Sequence, residues 1–200
     1  MDAVYEIKKS GKYGKLKRTY NCLRKMYSDS ADQTQSMKLK DHKIVVVEDS
    51  NAGYQFFEKV CGDSGIKCIS ANGNGNILKT VEECGNNSLI VADGAAFGPQ
   101  MANVYGFATR RKCNLFLPES FEWLILNSGV IKDSDIKTVL ENPCDYIESK
   151  DYFTWEQFFT AYLVGISKNK EYRYNKRKIN EYYLSNKNIK KILDGFFYDF

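Results

Sequence analysis

Two apolar runs in this chain end in acids: Lys43-Ile44-Val45-Val46-Val47-Glu48-Asp49 and, further along, Leu89-Ile90-Val91-Ala92-Asp93-Gly94. In open parallel α/β sheets, ligands and chemistry collect at the carboxyl ends of the strands. Neighbouring strands that deliver carboxylates to that edge form a cradle for a divalent cation, because Mg²⁺ is held by a few carboxylate oxygens together with water or phosphate. Asp also suits a turn or a helix cap, so each acid has an architectural alternative.

Other residue patterns exclude more than they suggest. Gly11-Lys12 and Gly14-Lys15 lack the spacing of a nucleotide-binding P-loop, and no Ser or Thr follows either Lys. Asn72-Gly73-Asn74-Gly75-Asn76 precedes a helical stretch and can present backbone N–H groups to a phosphate. Its simpler role is a turn that needs left-handed backbone at Gly and Asn. The six cysteines are scattered without a C-x-x-C, which argues against a zinc site or a disulfide framework and for reduced, mostly buried thiols. His42 is the lone histidine, and it is expected at the surface just before a strand. Ser-His-Asp and Cys-His chemistry would both require it and are set aside.

The elements that position the acids follow from periodicity. A buried strand over residues 43–48 leads to a helix with Ala52, Phe56, Phe57 and Val60 at helical spacing. A strand over 66–70 comes next, followed by the Asn/Gly turn and a helix carrying Ile77, Leu78, Val81 and Cys84. The third strand, 88–92, runs into the loop from Asp93 to Gly98, and Pro99 opens a helix to about Lys112. A last strand over 114–117 leads into Pro118-Glu119-Ser120-Phe121-Glu122. This alternation predicts an α/β fold with a doubly wound, mainly parallel sheet. Three parts are expected: a basic N-terminal strand, helix and linker over 1–40, the α/β domain over 41–127, and a basic, Tyr-rich helical extension over 128–200, with a helix N-capped by Thr154.

The net charge of +4 is segregated. Residues 1–25 hold eight Lys/Arg against two acids, a balance of +6, and residues 168–191 hold nine against two, or +7. The body over 26–167 carries −7. Basic arms around an acidic body attract polyanions, so nucleic acid is the expected partner. The phosphate contacts would be Lys12, Lys15, Lys17 and Arg18 in the first arm and Arg173, Lys176, Arg177 and Lys178 in the second. The chain has no run of 18 apolar residues and no apolar stretch at its start, so a cytoplasmic protein without a membrane span is expected.

The series Val45-Val46-Val47-Glu48, Ile90-Val91-Ala92-Asp93-Gly94-Ala95 and Pro118-Glu119-Ser120-Phe121-Glu122 resembles a Toprim domain of the OLD-type nucleases, over roughly residues 43–126. The resemblance implies a Toprim/Rossmann-like fold and phosphodiester chemistry with Mg²⁺ or Mn²⁺. It gives Glu48 the place of the glutamate after the first strand and Asp93 that of the first acid of a D-x-D. Ala95 stands where the second acid belongs, a departure that Asp49 or Glu119 would have to make good. The expected metal set is therefore Glu48, Asp49, Asp93 and Glu119, with Glu48 and Asp93 catalytic. Glu122 is a second acid in the segment that relatives use. OLD-type systems also imply a separate ATPase subunit as partner.

Two other readings stand beside this one. A catalytically inactive scaffold would bind nucleic acid or protein through its arms and aromatic helices. A receiver-like domain would accept a phosphoryl group on Asp93, with Glu48-Asp49 as the acidic pair and Ser120 near the place of the switch hydroxyl.

Overall fold

A computed structural model describes residues 38–94, 97, 101–141, 146, 151–152 and 154–194. Lys12, Lys15, Lys17 and Arg18, together with Ala95, Pro99 and the aromatic terminus from Phe196 to Phe200, lie outside the described residues.

The alternation predicted from sequence is present. Four strands, β1 (Ile44–Val47), β2 (Lys67–Ser70), β3 (Ser88–Val91) and β4 (Asn114–Phe116), form one sheet in the order β2-β1-β3-β4. All pairs are parallel, with Val47 opposite both Ser70 and Val91. Helices α1 (Ala52–Asp63), α2 (Ile77–Cys84) and α3 (Met101–Arg111) make the crossovers. The chain order reverses between β1 and β3, which makes that gap the topological switch point.

Both faces of the sheet are covered, and this explains why its strands read as unbroken apolar runs. Val46, Ile90 and Ala92 pack with Ile77 and Val81 of α2 and Val104 and Phe107 of α3. Val45, Val47, Leu89 and Val91 face α1 and α4 (Phe121–Asn127) on the other side. Helix α4 starts cleanly because the Ser120 hydroxyl caps it, accepting from Trp123 N at 3.1 Å.

The C-terminal extension is part of this second face. It comprises α5 (Ile136–Glu141), α6 (Trp155–Ser167), α7 (Glu181–Leu184) and α8 (Asn186–Leu193). Phe158, Phe159 and Leu163 of α6, with Tyr183, Ile189 and Ile192, belong to the same core cluster as β1, β3, α1 and α4. Thr154 caps α6 as expected, accepting from Gln157 N at 3.1 Å. The tail differs from the helix expected over the second basic arm, because residues 171–180 are irregular. Asn side chains hold that shape: Asn175 Oδ1 accepts from Arg177 N, and Asn180 Nδ2 donates to the carbonyls of Glu171 and Arg173. Such local bonds offer the backbone an alternative to helix.

His42 is buried, contrary to the surface position expected of it. Its ring nitrogens meet Lys38 O at 3.1 Å and Asn114 Nδ2 at 2.9 Å, and these bonds satisfy the polar atoms that burial removes from water. The cysteine expectation is met in part: Cys61 and Cys113 are free and buried, while Cys68 and Cys84 are free and half-buried. Among the described residues no helix is long and apolar enough to cross a membrane.

Candidate functional site

The switch point opens into a cavity of about 300 Å³ at the carboxyl edge of the sheet. Glu48 enters from the end of β1 and Asp93 from the end of β3, and Asp93 N donates to Glu48 Oε2 at 3.1 Å. The ladder continues past both strands, with Glu48 N donating to Val91 O at 2.8 Å and Gly94 N to Pro118 O at 2.6 Å. The two acids are thereby fixed on rigid backbone. Asn72 and Gly73 form one wall, tied to the site through Gly73 N and Glu48 O at 2.9 Å.

Asp49 lines the cavity, but its carboxylate is engaged elsewhere. Oδ1 accepts from Ser50 N at 2.7 Å and Asn51 N at 3.0 Å, and Oδ2 accepts from Gly53 N at 2.8 Å. These bonds satisfy orphan donors at the start of α1. A Cβ at Gly53 would lie 2.8 Å from Asp49 Oδ2, so glycine is what lets the carboxylate reach the helix. Glu119 is buried and is not among the lining residues. Glu122, in the first turn of α4, lines the cavity.

The extension supplies two further groups. Glu156 projects from the first turn of α6, and Lys176 reaches in from the irregular segment to form an ion pair with it. That segment is docked across α1, with Ala52 N donating to Lys176 O at 2.9 Å, Gln55 Nε2 to Arg177 O at 3.1 Å and Ile179 N to Gln55 Oε1 at 2.9 Å. Behind it, Tyr174 OH donates to Glu122 Oε1 at 2.9 Å. Of the second basic arm, then, Lys176 points into the acids, while Arg173, Arg177 and Lys178 stay exposed.

Crowding sets the electrostatics. Burial, opposed by the Asp93 N–H and reinforced by Glu156 and Asp49, raises the proton affinity of Glu48. Burial and the charges of Glu156, Glu48 and Glu122 push Asp93 well above the ordinary carboxylate range. Burial also raises Glu122, against the pull of Lys176. Lys176 itself holds its proton more tightly, because Glu156 and Glu122 outweigh its own desolvation. The cavity is thus a place where negative charge is costly and a proton or a cation is welcome.

A pH effect on stability follows. Because the folded state raises the Asp93 pKa, its contribution is full below the ordinary Asp range and is lost as pH rises through the raised value. At neutral pH Asp93, which ionises freely in the unfolded chain but not in the crowded cavity, therefore costs the fold stability. Asp93→Asn is expected to melt at a higher temperature than the parent near pH 7, with the gap closing in acid. Melting curves across that range check this, and a variant no more stable at neutral pH would contradict the crowding.

Among the described residues, no three His, Cys, Asp or Glu side chains come together closely enough to hold a metal ion. The four-acid set expected from sequence is therefore not assembled there: Glu48 and Asp93 meet, Asp49 caps a helix and Glu119 is elsewhere. Sequence reasoning missed Glu156. An acid in a first helical turn usually complements the helix dipole, so its type carries no mark of a site. Against protein-family models, curated proteins and solved structures, the chain shows no match.

Proposed function

We propose that the switch-point cavity is the active site of a Toprim-like protein that cleaves phosphodiester bonds in nucleic acid with Mg²⁺ or Mn²⁺. The observation that carries this reading is the meeting of Glu48 and Asp93 across the β1/β3 gap, joined through Asp93 N and Glu48 Oε2 at 3.1 Å. Two carboxylates suit an ion that takes one or two protein anchors and completes its shell with water and substrate phosphate. They do not suit a cation held by protein alone. When bound, the ion would polarise the scissile phosphate and steady the leaving oxygen.

The chain's own groups supply the rest. Glu48, with its proton affinity raised by burial, is placed to take and return a proton. Lys176 offers an ammonium to a phosphate entering the cavity, and Arg173, Arg177 and Lys178 extend a basic rim beyond it. Lys12, Lys15, Lys17 and Arg18 belong to the same reading as further phosphate contacts, as does a separate ATPase subunit as partner.

A second reading, an inactive nucleic-acid- or protein-binding scaffold, is favoured by Asp49 serving as a cap and by Lys176 already pairing with Glu156. The receiver-like reading has less behind it. The Ser120 hydroxyl is fully buried and caps α4, and a raised Asp93 is the opposite of a poised nucleophile.

Isothermal titration with Mn²⁺ separates the first two. Binding by the parent that is lost in both Glu48→Gln and Asp93→Asn supports the metal site. Equal heats in all three proteins would place any ion elsewhere.

A further inference from the structure

The edge of the sheet opposite the cavity has the reverse charge. The turn before β1 carries Lys38, Lys40 and Lys43, and the end of α3 carries Arg110, Arg111 and Lys112, against Asp41 as the acid of the turn. These two stretches are remote in sequence yet joined by hydrogen bonds. Lys43 N donates to Asn87 O at 3.3 Å, Asn87 N to Arg111 O at 3.2 Å, and Asn87 Nδ2 to Asp41 O at 2.9 Å. The buried His42–Asn114 contact at 2.9 Å locks the same junction. Among the described residues Lys40, Lys43, Arg110, Arg111 and Lys112 form no ion pair, and all but the half-buried Arg111 are exposed. Arg111 lies over the Phe107 ring at 5.7 Å, which presents its guanidinium on a fixed support.

The helix dipole accounts for part of this pattern, since cations are favoured at the C-terminal end of α3. It does not account for Lys40 and Lys43, which precede a strand. The proposed activity has use for an anchor beyond Lys176 and its rim, because in the cavity Glu48, Asp93, Glu122 and Glu156 outnumber Lys176 and oppose the phosphates of a substrate.

We propose that this amino-terminal edge, formed by Lys40, Lys43, Arg110, Arg111 and Lys112 with Lys38 beside them, binds the phosphate backbone of nucleic acid. An anionic membrane is the poorer partner. The large apolar side chains exposed among the described residues are Tyr105, Tyr146 and Val164, without the Trp, Phe or Leu anchors an interfacial surface uses. The inference rests on nucleic acid being the partner, and it is tested without metal so that failure to bind and failure to cleave are distinguishable.

The experiment is a fluorescence-anisotropy titration of short labelled DNA and RNA, single-stranded and duplex, in EDTA at several salt concentrations. It compares the full chain with Lys40→Ala/Lys43→Ala/Arg110→Ala/Lys112→Ala and with a Lys59→Ala/Lys137→Ala control. All the substituted positions are exposed, and circular dichroism checks the fold. The quadruple variant is expected to bind about tenfold or more weakly at low salt, with a log–log salt slope shallower by roughly three to four, while the control matches the parent. Parent-like affinity and slope in the quadruple variant would overturn the proposal. Loss of binding to anionic vesicles, with nucleic-acid binding unchanged, would assign the edge to a membrane and overturn it as well.

Discussion

Phe159→Ala is expected to destabilise the whole chain by about 3–5 kcal/mol, the cost of emptying a buried aromatic site. Phe159 is 1% exposed, and its ring lies 6.1 Å from that of Trp155 and 5.3 Å from that of Phe158. Those contacts alone would make it a core residue of a separate helical unit. The larger consequence comes from the cluster it belongs to, which runs without a break from α6 through α4 and α1 to Val45 and Val91 of the sheet. Loss of packing in α6 should therefore be felt at β1 and β3. Chemical denaturation followed by both tryptophan fluorescence and far-ultraviolet circular dichroism checks this. One shared transition, moved to lower denaturant, is expected. Two transitions, of which only one moves, would mean that the extension folds apart from the sheet and that Glu156 and Lys176 are not held at the cavity.

The second large effect concerns Glu48. Glu48→Gln preserves the shape of the side chain, and its amide oxygen can still accept from Asp93 N, so the fold should be little changed. What it removes is a group able to exchange a proton and a negative charge facing the substrate. Loss of a positioned general acid or base lowers rates by about 10²–10⁴-fold, and any Mg²⁺- or Mn²⁺-dependent cleavage should fall by at least that factor. The variant is also expected to melt no lower than the parent at neutral pH, because it relieves part of the crowding that raises Glu48 and Asp93. A fall in activity together with a fall in melting temperature would instead point to a structural role.

Much of this was legible in the residues. The run from Ile44 to Val47 is apolar on both faces because helices cover both, so it declared a buried parallel strand, and the acids after it were bound to reach the carboxyl edge. The regular alternation of strands and helices likewise announced a parallel sheet, while the order β2-β1-β3-β4 that makes β1 and β3 neighbours is seen only in the structure. Three things were hidden. Asp49 reads like a second ligand, and only the structure shows its oxygens taken by Ser50 N and Asn51 N before α1 and by Gly53 N within it. Lys176 reads as one more cation in a basic helix. Its inward turn depends on Asn175 and Asn180 breaking that helix and on Gln55 receiving the strap. His42 reads as a polar residue outside a strand, yet two bonds to Lys38 and Asn114 satisfy it in the interior. In each case a partner distant in sequence, or a local side-chain bond, overrides a composition that is ambiguous.

The most direct test of the central claim is cleavage of supercoiled plasmid and of labelled single strands by the full chain, with Mg²⁺ or Mn²⁺ and with EDTA, beside Glu48→Gln and Asp93→Asn. Metal-dependent nicking by the parent, absent in EDTA and lost in both variants, is the result the switch-point cavity predicts. Nucleic acid bound but left intact by the parent in either metal, with both variants binding equally well, would contradict it and leave the cavity of Glu48 and Asp93 as part of a binding scaffold.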